Sequence, residues 1–280
     1  IRVIPLEMTR KITPLKDMLS LIEMIRVFKR EKPDVVHSHT PKAGIVSMIA
    51  SVICGVPNRL HTVAGLPLME KSGLKKQLLL IVEWLTYKCA SKVYVNSNGL
   101  KKFILENISI PRKKISVIGF GSSNGVDTEF FTKNDKINNS SLVFQKKFNL
   151  KNKFTFIFIG RIVKDKGIEE LLKAFVKLNN ELNNTRLILL GRQEKDLDPI
   201  TDEAKNIMSL NKNIINLGYK SDIRTFLAAS NCLVLPSYRE GFPNVVLQAG
   251  SMKIPSIVTN INGCNEIIKS NINGLIVKPK

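Results

Sequence analysis

Four cysteines, three histidines, one tryptophan and an aromatic fraction of 6% in 280 residues leave several protein classes without their usual material. Cys54, Cys89, Cys232 and Cys264 lie in apolar or helical surroundings and never in CxxC spacing, so neither a disulfide scaffold nor a thiolate zinc site is written into the chain. They read as reduced core residues of a cytoplasmic protein. No apolar stretch reaches the roughly 18 to 20 residues that a membrane-spanning helix requires; the longest, 43–56 and 78–85, stop short. Acidic side chains are scarce as well, with 23 Asp and Glu against 43 Lys and Arg, a formal charge of +20. Residues 1–125 are the more basic half, with 20 basic and 8 acidic side chains. Such an excess can hold a protein against nucleic acid or an anionic membrane surface. Without an Arg-rich stripe interleaved with aromatics, nucleic acid is the weaker candidate.

What the chain does have is alternation. Apolar strands take turns with helical stretches, the pattern of doubly wound α/β domains. The first half reads as helix 15–32, strand 35–38, helix 43–54, strand 59–63, helix 75–90, strand 92–96, helix 98–107 and strand 115–118. A polar segment, 132–153 with NDKINNSS near its centre, is expected to be a linker between domains 1–131 and 154–280. Strands are then expected at 154–159, 186–190, 214–217, 232–235 and 256–259. The chain opens on a strand-like IRVIPLEM without Met and closes on a strand, NGLIVKPK, so both domains are expected to be truncated.

Two strand-to-helix junctions carry chemistry. In LVLPSYREGFPNVVLQAG, a buried strand ends at Pro236, Glu240, Gly241 and Pro243 make a turn, and a helix follows from Asn244. Backbone N–H groups at such a helix start, beyond the carboxyl end of a parallel strand, suit an anion such as a diphosphate. Glu240 would face the group attached to that anion. Gln248, two helical turns on, can point into the same crevice. In FTFIFIGRIVKDKGIEELLKAF, Arg161 and Lys166 stand where another strand hands over to an amphipathic helix. There the Arg can fork onto phosphate oxygens while the Lys acts as a mobile charge. A capped surface helix and two solvated cations would give the same letters.

GRIVKDKG and REGFPNVVLQA resemble the two signature motifs of the family 4 retaining glycosyltransferases, and the likeness runs on through KPDVVHSHTPKAG, GVPNRLHTVAGL, VIGFGSSNGVDTEFF and LGYKSDI. The resemblance implies an α/β fold of two facing Rossmann-like domains (GT-B), an acceptor-side domain followed by a nucleotide-sugar domain. It also implies sugar transfer, with retention, from a nucleotide-diphosphate donor, UDP-linked, to a glycan or lipid-linked glycan, as in bacterial surface polysaccharide synthesis. Arg161 and Lys166 would bind the diphosphate, Glu240 the transferred sugar, position 248 the ribose, and the backbone near Lys220 the base. His61 would sit beside the sugar, with Gly160, Gly241, Phe242, Pro243 and Asn244 completing the donor cradle. No cofactor and no metal is expected. Position 248 departs from the family, which places a second glutamate there; an amide can still accept from one ribose hydroxyl and donate to another, without the charge.

Other readings stay open. A retained fold that binds nucleotide sugars without turnover would carry the same motifs. His37 and His39 share a strand face and with His61 could make a zinc hydrolase site. Asp196 and Asp198 in DLD could suggest metal-binding acids, and read better as loop residues. Finally, Lys71, Lys75 and Lys76 flank an apolar helix with Leu74, Leu78, Leu79, Val82 and Leu85, a candidate contact with the inner face of the cytoplasmic membrane.

Overall fold

The computed structural model describes residues 2–9, 13–66, 68, 72–194 and 198–279. Lys71 and Asp196 lie outside the described residues. The chain divides into two compact units, Ile1–Ser123 and Asn124–Lys280.

In the first unit, α1 (Pro14–Glu31), β1 (Val35–His39), α2 (Pro41–Ile53), β2 (Asn58–Val63), α3 (Gly73–Cys89), β3 (Lys92–Val95), α4 (Asn98–Asn107) and β4 (Ile115–Val117) alternate along the chain. The strands form a parallel sheet in the order β1-β2-β3-β4. Each helix therefore returns the chain to the next position in the sheet, the economical way to connect parallel neighbours. Met48, Leu66, Tyr87, Val93, Leu100 and Ile104 make the core. Residues 2–9, read as strand-like from their apolar letters, form no strand: Pro5 interrupts them and no neighbour pairs with them among the described residues.

The second unit contains α5 (Asp135–Lys147), β5 (Phe154–Ile159), α6 (Ile168–Glu181), β6 (Thr185–Leu190), α7 (Asp202–Leu210), β7 (Ile214–Asn216), α8 (Arg224–Ala228), β8 (Cys232–Leu235), α9 (Asn244–Ser251), β9 (Ser256–Thr259), α10 (Cys264–Ile267) and β10 (Gly274–Val277). Its six strands are all parallel, in the order β10-β9-β8-β5-β6-β7. The chain runs outward from β5 to β7, then crosses back to β8 on the other side of β5. That reversal opens a crevice beyond the carboxyl ends of β5 and β8, where ligands of open α/β sheets bind.

The segment 132–153, expected to be a linker, instead carries α5, which packs into the second unit. Asn134 caps it by accepting the Ile137 N–H at 3.0 Å. Ile137, Ser141 and Phe144 recur at helical spacing and are buried, with the Phe144 ring set edge-on to Phe226 at 5.1 Å. Asn, Ser and Lys on the remaining positions hide that stripe in the sequence. The boundary between the units accordingly falls between Ser123 and Asn124, before the expected 131.

Candidate active site

At the end of β5 the chain enters Gly160 and Arg161 within touching distance of the loop leaving β6. The Gly160 N–H donates to the Leu190 carbonyl at 2.9 Å, and a side chain at Gly191 would put its Cβ 1.7 Å from the Gly160 oxygen. Only a glycine permits that approach. Beyond it the two loops stay in register, with the Ile162 N–H donating to the Arg192 carbonyl at 2.9 Å. This pairing carries Arg161 and Glu194 out of the sheet together. Arg161 Nη1 lies 3.1 Å from Glu194 Oε2, and Nη2 lies 3.6 Å from Asp165 Oδ2.

The next turn brings β5 and β8 into contact. Lys164–Lys166 form one 3-10 turn, and Gly167 follows at φ 67°, where a Cβ would lie 2.1 Å from the Pro236 oxygen. The backbone thus lies directly on the exit of β8, and the Tyr238 N–H donates to the Asp165 carbonyl at 3.0 Å. Lys166 Nζ then reaches Glu240 Oε1 at 2.7 Å, with both side chains 15% exposed. The hydroxyl of the fully buried Ser237 donates to the same carboxylate oxygen at 2.8 Å. Asp165 Oδ2 also holds Arg239 at 3.0 Å. Behind this group Gly241, Phe242 and Pro243 lead into α9, which begins at Asn244.

Beside the ion pairs lies a cleft of about 560 Å³ lined by Gly160, Arg161, Glu194, Tyr219, Lys220 and Gln248, among others. Residues assigned to diphosphate, base and ribose from three separated stretches of sequence therefore share one cavity wall. Lys166 and Glu240 stand bonded to each other at the β5–β8 crossing. Glu194, Asp165 and Ser237, which orient Arg161 and Glu240, were not anticipated. The signal for Glu194 was present: LILLGRQE repeats the strand-then-GR arrangement of FIFIGRI.

In the first unit the three histidines separate. His61 pairs in register with Ser38, so strand alternation sends it to the face opposite His37 and His39. Its Nδ1 lies 2.8 Å from the Ser38 hydroxyl, its ring packs against Gly44 and Tyr87, and it is 1% exposed. Burial pushes its pKa down to about 4, keeping the ring neutral. His37 instead bonds Thr62 at 2.7 Å, with its ring 4.3 Å from that of His39.

Against known proteins, residues 141–280 match the family model for glycosyl transferases group 1, and residues 1–121 match that for the glycosyl transferase 4-like domain. The capsular polysaccharide biosynthesis glycosyltransferase CapM of Staphylococcus aureus is 36% identical over 271 residues, covering 97% of this chain and 70% of that protein. The chain belongs to the group 1 glycosyltransferases. An Escherichia coli relative, UDP-Gal:alpha-D-GlcNAc-diphosphoundecaprenol alpha-1,3-galactosyltransferase, is 34% identical over 276 residues, covering 96% of this chain and 68% of its own. Among solved structures, Anabaena Alr3699/HepE in complex with UDP and glucose superposes with a TM-score of 0.79 at 20% identity, over 97% of this chain and 71% of that one. The fold is GT-B.

For this glycosyltransferase one expectation needs correcting. A zinc site from His37, His39 and His61 is ruled out by the opposite faces they occupy, and among the described residues no group of three His, Cys, Asp or Glu side chains is placed to hold a metal ion. His61 is buried within the first unit, its ring between Gly44 and Tyr87.

Below His61, the first unit buries an acid. Glu83 on α3 is 2% exposed, and the Tyr87 hydroxyl one turn away is buried in its field without reaching hydrogen-bond geometry. Burial pushes the Glu83 pKa up to about 7 from 4.5. A raised carboxyl pKa means that the folded state keeps a proton which the unfolded chain releases, so stability falls as pH rises from 4.5 to 7 and the deficit is complete above that. Glu83→Gln cannot titrate. Relative to wild type it should gain about 3 kcal/mol between pH 4.5 and pH 8, read by urea unfolding through the neighbouring Trp84, the sole tryptophan. A margin independent of pH would contradict this account.

Proposed function

We propose that this glycosyltransferase moves a sugar, with retention, from a UDP-linked donor to a hydroxyl of a lipid-linked glycan in surface polysaccharide synthesis. The observation that carries this reading is the Lys166–Glu240 pair joining the turns after β5 and β8, together with a cleft lined by Arg161, Lys220 and Gln248. Departure of the diphosphate leaves positive charge on the sugar ring and gathers negative charge on the phosphates. Arg161, Lys166 and the start of α9 at Pro243–Val245 stabilise the second; Glu240 orients the sugar hydroxyls once Lys166 has turned to phosphate. Gln248 meets the ribose and the backbone near Lys220 the base. Protein cations do the electrostatic work, so the transfer proceeds without a metal. Acceptor chemistry is argued from relatives: the Escherichia coli enzyme and the Campylobacter jejuni N-acetylgalactosaminyltransferase, 26% identical, both bear diphosphoundecaprenol acceptors in their names.

Such an acceptor lives in a membrane. Among the described residues no helix is long and apolar enough to cross one. Along α3, however, Leu74, Leu78, Ile81 and Trp84 are 89, 48, 59 and 37% exposed, at helical spacing, with Lys75, Lys76 and Lys88 beside them. Leu79, expected on the same face, packs into the core. We assign the exposed stripe to the surface of an anionic bilayer, each lysine contributing about 1 kcal/mol.

Arg161→Ala and Lys166→Ala should each lower kcat/KM for the donor about ten- to a hundredfold, the loss of one charge-assisted contact. Wild-type kinetics in both would remove the diphosphate assignment. In vesicle co-sedimentation the protein should bind anionic vesicles over neutral ones and lose binding in the Lys75→Glu, Lys76→Glu variant. Equal binding to both vesicle types would rule this surface out.

A further inference from the structure

The stretch NGVDTEFF, residues 124–131, opens the second unit and has no part in the reading above. It runs as bends and turns rather than as helix or strand, so side-chain contacts must fix its place. Asp127 makes the turn. Its Oδ1 accepts the N–H groups of Glu129 and Phe130 at 3.0 and 2.9 Å, and its carbonyl accepts that of Phe131 at 2.9 Å. Two bonds then fasten the end of the turn to separate helices. The Ser251 hydroxyl, at the end of α9, donates to the Phe131 carbonyl at 2.8 Å, and Arg224 Nη1, at the start of α8, donates to the Phe130 carbonyl at 3.1 Å.

Arg224 does more than donate that bond. Its guanidinium carbon lies 3.6 Å from the centroid of the Phe130 ring, while Nε and Nη2 fork onto Asp222 at 3.0 and 2.6 Å. Ring face, fork and remaining N–H are engaged at once, a combination open to a planar guanidinium and closed to an ammonium. The cleft of about 560 Å³ is lined not by Arg224 but by its neighbours: Ser221 and Ile223 from the loop after β7, and Phe131 from the turn, beside Gln248. Gln248 and Ser251 share a face of α9, so the fastened turn runs past the residue assigned to the ribose. Arg224 therefore stands behind the cleft wall and holds two pieces of it together.

We propose that Arg224 is a positioning residue for donor binding: without touching the nucleotide sugar, it clamps the 127–131 turn to the loop after β7 and so sets the wall that Phe131 presents. The proposal rests on the nucleotide-sugar reading of the same cleft. Calorimetric titration with UDP, beside amide hydrogen exchange, tests it. Arg224→Ala should weaken UDP binding about tenfold and speed exchange of the Glu129, Phe130 and Phe131 amides, which the turn protects. Phe131→Ala should weaken UDP binding to a similar extent, and the double variant no further, because Arg224 acts through Phe131. Arg224→Lys keeps the charge and much of the stem, which guards against a failure of the alanine variant to fold, and should show the same loss and the same faster exchange. Wild-type UDP affinity in Arg224→Lys would overturn the proposal while leaving the nucleotide-sugar reading intact. Losses that add in the double variant would also overturn it, since Arg224 would then have a contact of its own with the ligand, as would weaker binding with exchange of the three amides unchanged. Wild-type protein that does not bind UDP would instead remove the nucleotide-sugar reading, and the proposal with it.

Discussion

The 2.7 Å pair between Lys166 and Glu240 joins the two sides of the sheet's reversal, and the rest of the candidate site is arranged around it. Lys166 belongs to the turn after β5 and Glu240 to the turn after β8, strands that pair side by side although 74 residues separate the two side chains. Their meeting requires the two turns to touch, which the absence of a side chain at Gly167 allows. At 15% exposure the pair is neither a solvated surface contact nor a sealed one. Removing one partner would leave the other short of compensation in a partly dry place, which costs more than forming the pair contributes.

The same balance recurs throughout the site. Arg161 is shared between Glu194 and Asp165, and Asp165 between Arg161 and Arg239. Three cations thus face three carboxylates before any ligand arrives. In the proposed function a diphosphate competes with those carboxylates for Arg161 and Lys166, and a flexible ammonium can change partner more easily than a guanidinium held by two acids. In this account Lys166 moves and Arg161 stays. Freed from Lys166 in the proposed transfer, Glu240 would keep its hydrogen bond from Ser237 and so its orientation. Negative charge leaving the sugar then develops where the cations already stand, without solvent reorganisation.

Much of the fold, and the crevice at which the candidate residues gather, was legible in the sequence, for identifiable reasons. Buried parallel strands are nearly continuous apolar runs, so β5, β6 and β8 stood out, and the glycines and charges after them marked the crevice. Helix α5 was not legible, because Ile137, Ser141 and Phe144 are a stripe only once the intervening Asn, Ser and Lys are ignored. Nor was the burial of His61, since a histidine within a strand reads alike whether it faces solvent or the core; its register with Ser38 decided that. Glu194 escaped although LILLGRQE repeats the strand-then-GR arrangement of FIFIGRI, because its pairing with Arg161 depends on Gly191 bringing the two loops together. On α3 the letters gave an apolar face and its lysines, and only packing divided Leu79 from Leu74 and Leu78.

The central claim is that donor affinity is concentrated at the diphosphate, through protein cations and without a metal. Comparing UDP with uridine by calorimetry in the presence of excess chelator tests it most directly. The account predicts that UDP binds at least about a hundredfold more tightly than uridine, the worth of two charge-assisted contacts, and that removing divalent ions changes neither value. Equal affinity for the two compounds, or UDP binding that appears only when a divalent ion is added, would contradict it.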